Sequence, residues 1–569
     1  MAYKSVTRIQ VLSLGVVLVG LVIIVRMAQL QIVKSEEYKM RAERQYIQPK
    51  DGLFERGNIY FNSKDGEKFL VAGMESGFKV VVNQKKIESA EGAFEKIGSF
   101  LNLDKSVFLE KVTGDDPYVV LEDKISKETS DKILNAKVLG ISLERYKWRT
   151  YPAKNISSQV VGFVGFDGDD VVGRYGIEKG FNEILSRESK DVHINFFAEI
   201  FINIKKYVLE NGEEEGNINL TIEPKVAQAF ESILKRTQEK WNSEMVGGII
   251  MNPKTGEILA MGNMPNFDPN NYADVPDISV FRNQSIGGVF ELGSVVKPLV
   301  MASAIDVGAV ASDTYYDDLG KVEVGDKTIH NFDKRGRGRV NMQDVLVNSL
   351  NTGMVYAVQH MKKDDFKSYM ESFELNKPTG IDLPNEEKGN LNNLNSKRDV
   401  EYATASFGQG ISMTPIELVR GFSVFANDGK MVTPRVVKNI EYIDPLQKDI
   451  ENEVKYSEQI IKPETAETIT RMLTQVVDTG INAGKHKMEH YRIAAKTGTA
   501  QIPNPMGGYY EDRYLHSLIG YYPAYDPQFI VLMYNYYPKG ASYASVSLAD
   551  PFFEMAKYLL NYYNVTPDR

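Results

Sequence analysis

Three short stretches carry residue types that could act on one another. They are Ser294-Val-Val-Lys297 in ELGSVVKP, Ser349-Leu-Asn351 in VNSLNTGM, and Lys496-Thr-Gly-Thr499 in AAKTGTA. A serine hydroxyl is a poor nucleophile until a neighbouring base takes its proton. A lysine three positions further along a helix shares the serine's face and can reach it. That lysine must be neutral to act, whereas its ordinary pKa lies near 10.4. Burial and a second cation both lower it, and Lys496 is the candidate second cation. Lys496 could also attract a substrate carboxylate. The Ser349 hydroxyl could relay a proton to a leaving amine, and the Asn351 amide could orient Lys297 and the substrate backbone. Taken together, the set describes acyl transfer through Ser294.

Neighbouring residues bear on the geometry. Gly293 allows a tight turn into the helix, where backbone N–H groups favour negative charge. Gly498 leaves a strand edge unobstructed, so that a substrate peptide can lie beside it. With Ser294 as the first helical residue, Pro298 falls just past the first turn, removes a donor and frees the Ser294 carbonyl.

None of the stretches is decisive alone. Ser76 and Lys79 in SGFK have the same spacing as Ser294 and Lys297, without partner motifs. The HKMEH run, His486 to His490, matches H-x-x-E-H, but that pattern needs both histidines on one helix face. Here Gly484 precedes it and a strand-like run follows. FDGDD, residues 166–170, lacks a full calcium loop and reads as a solvated turn. The ordered set of three is far more specific than any member.

The elements that must position these groups fall into two regions. From about Leu53 to Gly216, alternating runs such as FKVVVN mix with amphipathic stretches such as SAEGAFEKIGSFLNL. The charged, glycine-containing ENGEEEGN, residues 210–217, marks a boundary or a turn close to one. Beyond it, INLTI reads as a strand, EPKVAQAFESILKRTQEKW as a helix, and two apolar runs flank the turn NPKTGE. Helices are expected near 296–307, 342–361 and 415–427. The strands YRIAAKTGTAQ, SLIGYYP and QFIVLMYNYY follow, and the helix SLADPFFEMAKYLLNYY ends the chain. The expectation is an α/β (α+β) fold whose opening and closing strands share one helix-flanked sheet.

Length and charge set outer bounds. A chain of 569 residues needs several domains. A net charge of -9 argues against a nucleic-acid binder. The absence of cysteine excludes disulfides, thiolate zinc sites and a cysteine nucleophile. No charge interrupts residues 9–25, IQVLSLGVVLVGLVIIV, and the apolar surface continues through MAQLQIV. A bilayer span takes about 17–25 residues. Lys4 and Arg8 precede the run, so the expectation is a cytoplasmic tail (1–8), an uncleaved transmembrane anchor (9–33) and an extracytoplasmic remainder. A charged stalk, SEEYKMRAERQYIQPKDG, follows the anchor.

The serine-x-x-lysine, serine-x-asparagine and lysine-threonine-glycine set resembles that of the penicillin-binding proteins and serine β-lactamases. RYGIEKGFNEIL, SQVVGFVG, MNPKTGEILAMGNMPNFDPN and FGQGISMTPIELVRGFSVFANDGK extend the resemblance over nearly the whole chain, to class B penicillin-binding proteins. It implies a stalk and pedestal (34–216) of the dimerisation type and a D,D-transpeptidase domain (217–569) that cross-links peptidoglycan stem peptides ending in D-Ala-D-Ala. It further implies Ser294 as acylated nucleophile, Lys297 as general base, and Ser349, Asn351 and Lys496 as their partners. Thr497, Gly498 and Thr499 would bind substrate, the backbone N–H groups of Ser294 and Thr499 would form the oxyanion hole, and β-lactams would inhibit.

No cofactor is implied. With no glycosyltransferase domain between anchor and pedestal, a SEDS-type membrane polymerase and other cell-wall or divisome proteins become the expected partners, at the bacterial cytoplasmic membrane. GIEKGF and SFGQGISMTP are closer to the septal than to the elongation branch. A β-lactamase, a β-lactam sensor and a non-catalytic scaffold are the competing readings, opposed by the large pedestal and the intact motifs. Two departures stand out: Leu292 where the family usually has proline, and Leu350, a bulky residue expected to alter the rim of the site.

Overall fold

Alternating apolar residues build the first sheet. In the computed structural model, which describes residues 55–168, 170–187, 215–444 and 447–569 together with 19, 20 and 27, FKVVVN lies in a long strand. That strand, β2 (Lys68–Val82), pairs antiparallel with β1 (Ile59–Asn62), β3 (Val119–Ile125) and β4 (Ile141–Thr150). Its Val80 and Val82 meet Ile97 and Phe108 from two short helices in a small separate core. Ser76 and Lys79 sit on β2, where positions three apart face opposite sides. The expected anchor lies outside the described residues except for 19, 20 and 27, and the stalk lies wholly outside them. Among the described residues no helix is long and apolar enough to cross a membrane. Most of ENGEEEGN also lies outside them.

The strand expected at INLTI forms as β5 (Gly216–Leu220), but it joins this first sheet, parallel to β1 with Ile59 opposite Ile218. It therefore does not share the sheet of the closing strands. Period-2 alternation fixes which faces are buried, but it does not identify the partner strand.

The second sheet is antiparallel, in the order β7-β6-β10-β9-β8. It comprises β6 (Met245–Met251), β7 (Ile258–Met264), β8 (Ala494–Pro503), β9 (Tyr509–Tyr522) and β10 (Phe529–Tyr536). Both faces are covered, so the strands read as continuous apolar runs. On β9, a Cβ at Gly520 would meet Phe552 of α8 (Ala549–Tyr562), whereas the hydroxyl of the next residue, Tyr521, lies 2.8 Å from Thr470 Oγ1 of α6 (Pro463–Gln475). Helix α1 (Pro224–Trp241) packs with α8, and α5 (Pro415–Ala426) with α6. The α5 N-terminus carries a capping box between Thr414 and Glu417. Strand β8 is left at the sheet edge.

The helical middle departs from expectation in three places. Helix α2 is Lys297–Asp306, preceded by a 3-10 turn at Gly293–Val296. Pro298 is thus the second residue of α2, where no intrahelical acceptor exists for its missing N–H. The Ser294 carbonyl is not free, because it accepts the Lys297 N–H. The helix expected over 342–361 is broken into α3 (Met342–Val347) and α4 (Asn351–Gln359). Short strands interrupt the region as well: Tyr315–Asp318 pairs with Gly338–Asn341, and Lys321–Val324 with Lys327–His330.

Candidate active site

The break between α3 and α4 builds the second motif. Leu350 N–H donates to Val345 O at 2.9 Å and Ser349 N–H to Leu346 O at 3.3 Å, with Ser349 at φ +52°. This is a Schellman cap with serine at the left-handed position usually held by glycine, a conformation that costs a non-glycine residue about 1–2 kcal/mol. The residue after such a cap packs back onto the helix, and Leu350 is accordingly fully buried. It belongs to the core and does not form the rim of the site, contrary to expectation.

The cap turns both Ser349 oxygens toward Lys297. Lys297 Nζ donates to Ser349 O at 2.7 Å, to Asn351 Oδ1 at 2.8 Å and to Ser349 Oγ at 3.2 Å. Lys496 Nζ, from β8, donates to the same Ser349 Oγ at 2.9 Å and to Thr497 O at 2.9 Å. Both lysines are buried. Burial, and then repulsion from Lys496, push Lys297 well below the ordinary lysine range. Burial pushes Lys496 down to about 7. The hydrogen bonds of Lys297 thus run to the second motif, with none to the Ser294 hydroxyl one turn before it. Ser294 itself is partly exposed.

Backbone contacts set the first motif against the third. Gly293 is at φ +68°, and a Cβ there would lie 3.2 Å from the Thr499 carbonyl. The Leu292 carbonyl accepts Ser517 Oγ of β9 at 2.8 Å. Alternation along β8 turns Lys496 and Gly498 inward. A Cβ on Gly498 would stand 2.4 Å from Ser517 Oγ and 2.6 Å from the Leu292 carbonyl. Glycine is therefore needed for contact with the first-motif turn as well as for an open edge. Thr497 and Thr499 take the alternate positions. Thr499 Oγ1 accepts the Ala544 N–H, at 3.1 Å, from the short helix α7 (Ala544–Ser547). On β9 opposite Thr499, buried His516 holds Ser547 Oγ through Nδ1 at 2.7 Å.

The model of the penicillin binding protein transpeptidase domain matches residues 246–556, and that of the penicillin-binding protein dimerisation domain matches residues 54–195. Stage V sporulation protein D of Bacillus subtilis is 31% identical over 560 residues, spanning 95% of this chain and 83% of that protein. The chain belongs to the class B penicillin-binding proteins.

Peptidoglycan D,D-transpeptidase FtsI of Buchnera aphidicola is 28% identical over 464 residues, covering 80% of this chain and 77% of that one. Among solved structures, Penicillin Binding Protein 2X of Streptococcus thermophilus superposes with a TM-score of 0.72 at 19% identity, over 90% of this chain and 80% of that one. Penicillin binding protein 3 of Mycobacterium tuberculosis, complexed with aztreonam, gives 0.67 at 22% identity, over 90% and 97%. Those two likenesses are of fold. As a class B penicillin-binding protein, the chain is a serine-type D,D-transpeptidase.

Several residues that shape the site in this penicillin-binding protein were not foreseen from the motifs. Buried Asp318 accepts Thr352 Oγ1 at 2.8 Å, Asn331 Nδ2 at 3.0 Å and the Arg337 N–H at 2.9 Å. Asn331 Oδ1 in turn accepts the Thr352 N–H at 3.2 Å, next to Asn351. Gly408 lies so close to Gly293 that a Cβ would meet its carbonyl at 2.2 Å. Gly408 stands within FGQG, which the resemblance had marked without a role. The HKMEH run forms no helix; His486 stacks on Phe553 and His490 is exposed.

Proposed function

We propose that this class B penicillin-binding protein cross-links peptidoglycan stem peptides through an acyl-enzyme on Ser294. The observation that carries the reading is the sharing of Ser349 Oγ by the two buried lysines. A neutral Lys297 keeps two N–H donors for the Ser349 carbonyl and Asn351 Oδ1, which leaves its lone pair to accept a proton. Lys297 takes the Ser294 proton as Ser294 Oγ bonds to the carbonyl carbon of the penultimate D-alanine. The peptide C–N bond breaks as Lys297 gives its proton to Ser349 Oγ and the Ser349 hydroxyl passes its own to the departing D-alanine amine. An acceptor amine from a second stem peptide then attacks the ester, forms the new amide and restores the Ser294 hydroxyl. Preorganised donors at the developing oxyanion contribute about 3–4 kcal/mol in such sites. The backbone N–H groups of Ser294 and Thr499 take that role here, and Thr497, Gly498 and Thr499 bind the substrate's carboxylate end. β-Lactams acylate the same serine.

Division-type motif wording favours a septal role. The run 9–33 serves as the anchor, with the bulk of the chain outside the cytoplasmic membrane. A SEDS-type glycosyltransferase and other cell-wall proteins act as partners. Incubation with a D-Ala-D-Ala pentapeptide and an amine acceptor should release D-alanine and form the cross-linked product. Release without any transfer to the acceptor points to hydrolysis, and absence of release overturns the enzyme reading. A fluorescent fusion concentrated at midcell supports the septal role, and one spread along the side wall contradicts it.

A further inference from the structure

The chain carries a net charge of -9, yet one stretch beside the second motif has the opposite sign. In Asp333-Lys-Arg-Gly-Arg-Gly-Arg339 a single carboxylate stands against four cations. The stretch follows His330, whose carbonyl accepts Asn351 Nδ2 at 3.0 Å, so it begins one hydrogen bond from the second motif.

The loop has a fixed shape. Asp318 holds the Asn331 side chain and the Arg337 N–H, and Asn331 Nδ2 also reaches the Arg335 carbonyl at 3.2 Å. Arg337 pairs with Asp333 through two bonds of 3.0 and 2.8 Å, and donates to the Arg335 carbonyl at 2.7 Å. Lys334 sits at φ +58°, the left-handed tip of this turn. Arg339 lies over the Tyr315 ring, 5.1 Å from its centroid, with Asp317 as its cross-strand neighbour. The single carboxylate of the loop is thus consumed internally by Arg337. Lys334 and Arg335 are exposed, and among the described residues neither has a carboxylate within ion-pair distance. On the other side, exposed Phe332 packs edge-on against Tyr543, with ring centroids 5.7 Å apart. Tyr543 directly precedes Ala544, whose N–H holds Thr499. One end of the loop therefore touches the second motif, and its aromatic contact reaches the residue beside the third.

Preorganised cations next to a reaction centre, on an otherwise acidic molecule, attract and orient an anionic substrate. Guanidinium groups in particular match the fork of a carboxylate. We propose that the loop 331–339 is a substrate-selecting rim, in which Lys334 and Arg335 bind carboxylates of an acidic peptide while its end lies at Ser294. The proposal rests on the transpeptidase reading and adds the peptide's charge as the property selected. A peptide is favoured over a phosphate-bearing polymer because the loop is fastened to the second motif, where a peptide substrate must pass.

The test compares wild type with a Lys334→Gln/Arg335→Gln double variant on two pentapeptide donors, one with free side-chain carboxylates and one with those groups amidated. The expected result is a KM for the acidic donor raised about fivefold or more in the variant. The KM for the amidated donor and kcat for both should stay unchanged, with labelled penicillin still adding to Ser294. Added salt should raise the wild-type KM for the acidic donor toward the variant's. Equal KM changes for both donors, or no change for either, overturn the proposal. So does a variant that keeps its preference for the acidic donor and loses only affinity for polyphosphate. A wild-type chain that neither turns over a peptide nor takes up penicillin overturns the transpeptidase reading itself.

Discussion

Lys496 Nζ lies 2.9 Å from Ser349 Oγ, the same oxygen that Lys297 Nζ approaches at 3.2 Å. One hydroxyl thus mediates between two buried amines that repel each other when both are charged. Both nitrogens contact that oxygen, so they are at most about 6 Å apart, where unit charges repel by about 3 kcal/mol or more at an effective dielectric of 20. The pair therefore titrates as a unit and holds one proton in preference to two.

Replacing Lys496 by Gln removes the second of the two causes that lower Lys297, leaving burial alone. The Lys297 pKa then climbs, and the rising limb of the pH profile for acylation should move to higher pH, with a rate reduced at every pH. Stability changes in a defined window as well. A lysine lowered in the folded state is penalised below its folded pKa and gains stability as pH rises toward the unfolded value. For Lys496 that window runs from about 7 to about 10.4. In the Lys496→Gln variant the rise in melting temperature across the window should be shallower than in wild type.

Gly498→Ala tests the contact between the third motif and the first. The added methyl would meet the Leu292 carbonyl at 2.6 Å and Ser517 Oγ at 2.4 Å, so the turn carrying Ser294 must shift. Overpacking of this kind costs about 1–3 kcal/mol. A displacement near 1 Å costs about 100-fold in rate. Acylation measured well below the melting temperature should fall by about that factor. A variant that keeps its full rate would show that the contact does not position Ser294.

Much of this was legible in the residues themselves. The apolar runs became strands where expected, Phe529–Tyr536 among them, because alternation and burial are local properties. The three motifs were legible as chemistry, and the structure brings Lys297, Ser349, Asn351 and Lys496 into one hydrogen-bonded group. What escaped depends on conformation or distant partners. A serine at φ +52° gives no signal where glycine or asparagine would, so the Schellman cap and the burial of Leu350 were missed. The role of Asp318 was missed because Thr352 lies 34 residues away. Only the antiparallel pairing of strands Tyr315–Asp318 and Gly338–Asn341 brings the loop between them back to that carboxylate.

Asp318→Ala should therefore act at a distance from any motif. It strips the Thr352 hydroxyl, the Asn331 amide and the Arg337 N–H of their buried acceptor. Leaving buried donors of this kind without their acceptor costs about 1–3 kcal/mol. The expected readouts are a lower melting temperature and, below it, acylation slowed about tenfold or more through misplacement of Asn351. A variant with wild-type acylation would leave Asp318 a purely structural role.

Within the dimerisation-domain match, Glu178 of RYGIEKGF is clamped by Arg56 at 2.5 Å and Arg149 at 2.7 Å, all three buried. Burial raises its pKa, but the two guanidinium groups outweigh that and hold it below the ordinary value. Glu178→Ala leaves two buried cations without their carboxylate and should cost about 3–5 kcal/mol by denaturant unfolding. Penicillin acylation of the remaining folded protein should be kept, because the clamp touches no motif. Acylation lost while the fold is intact would contradict the structural role.

The proposed chemistry stands or falls on acylation of Ser294. Reaction with a labelled penicillin, followed by proteolysis and mass mapping of the adduct, tests it most directly. One long-lived adduct is expected on the peptide containing ELGSVVKP, at Ser294, absent from Ser294→Ala and strongly slowed in Lys297→Ala. An adduct at another serine, or one that persists in Ser294→Ala, would contradict it.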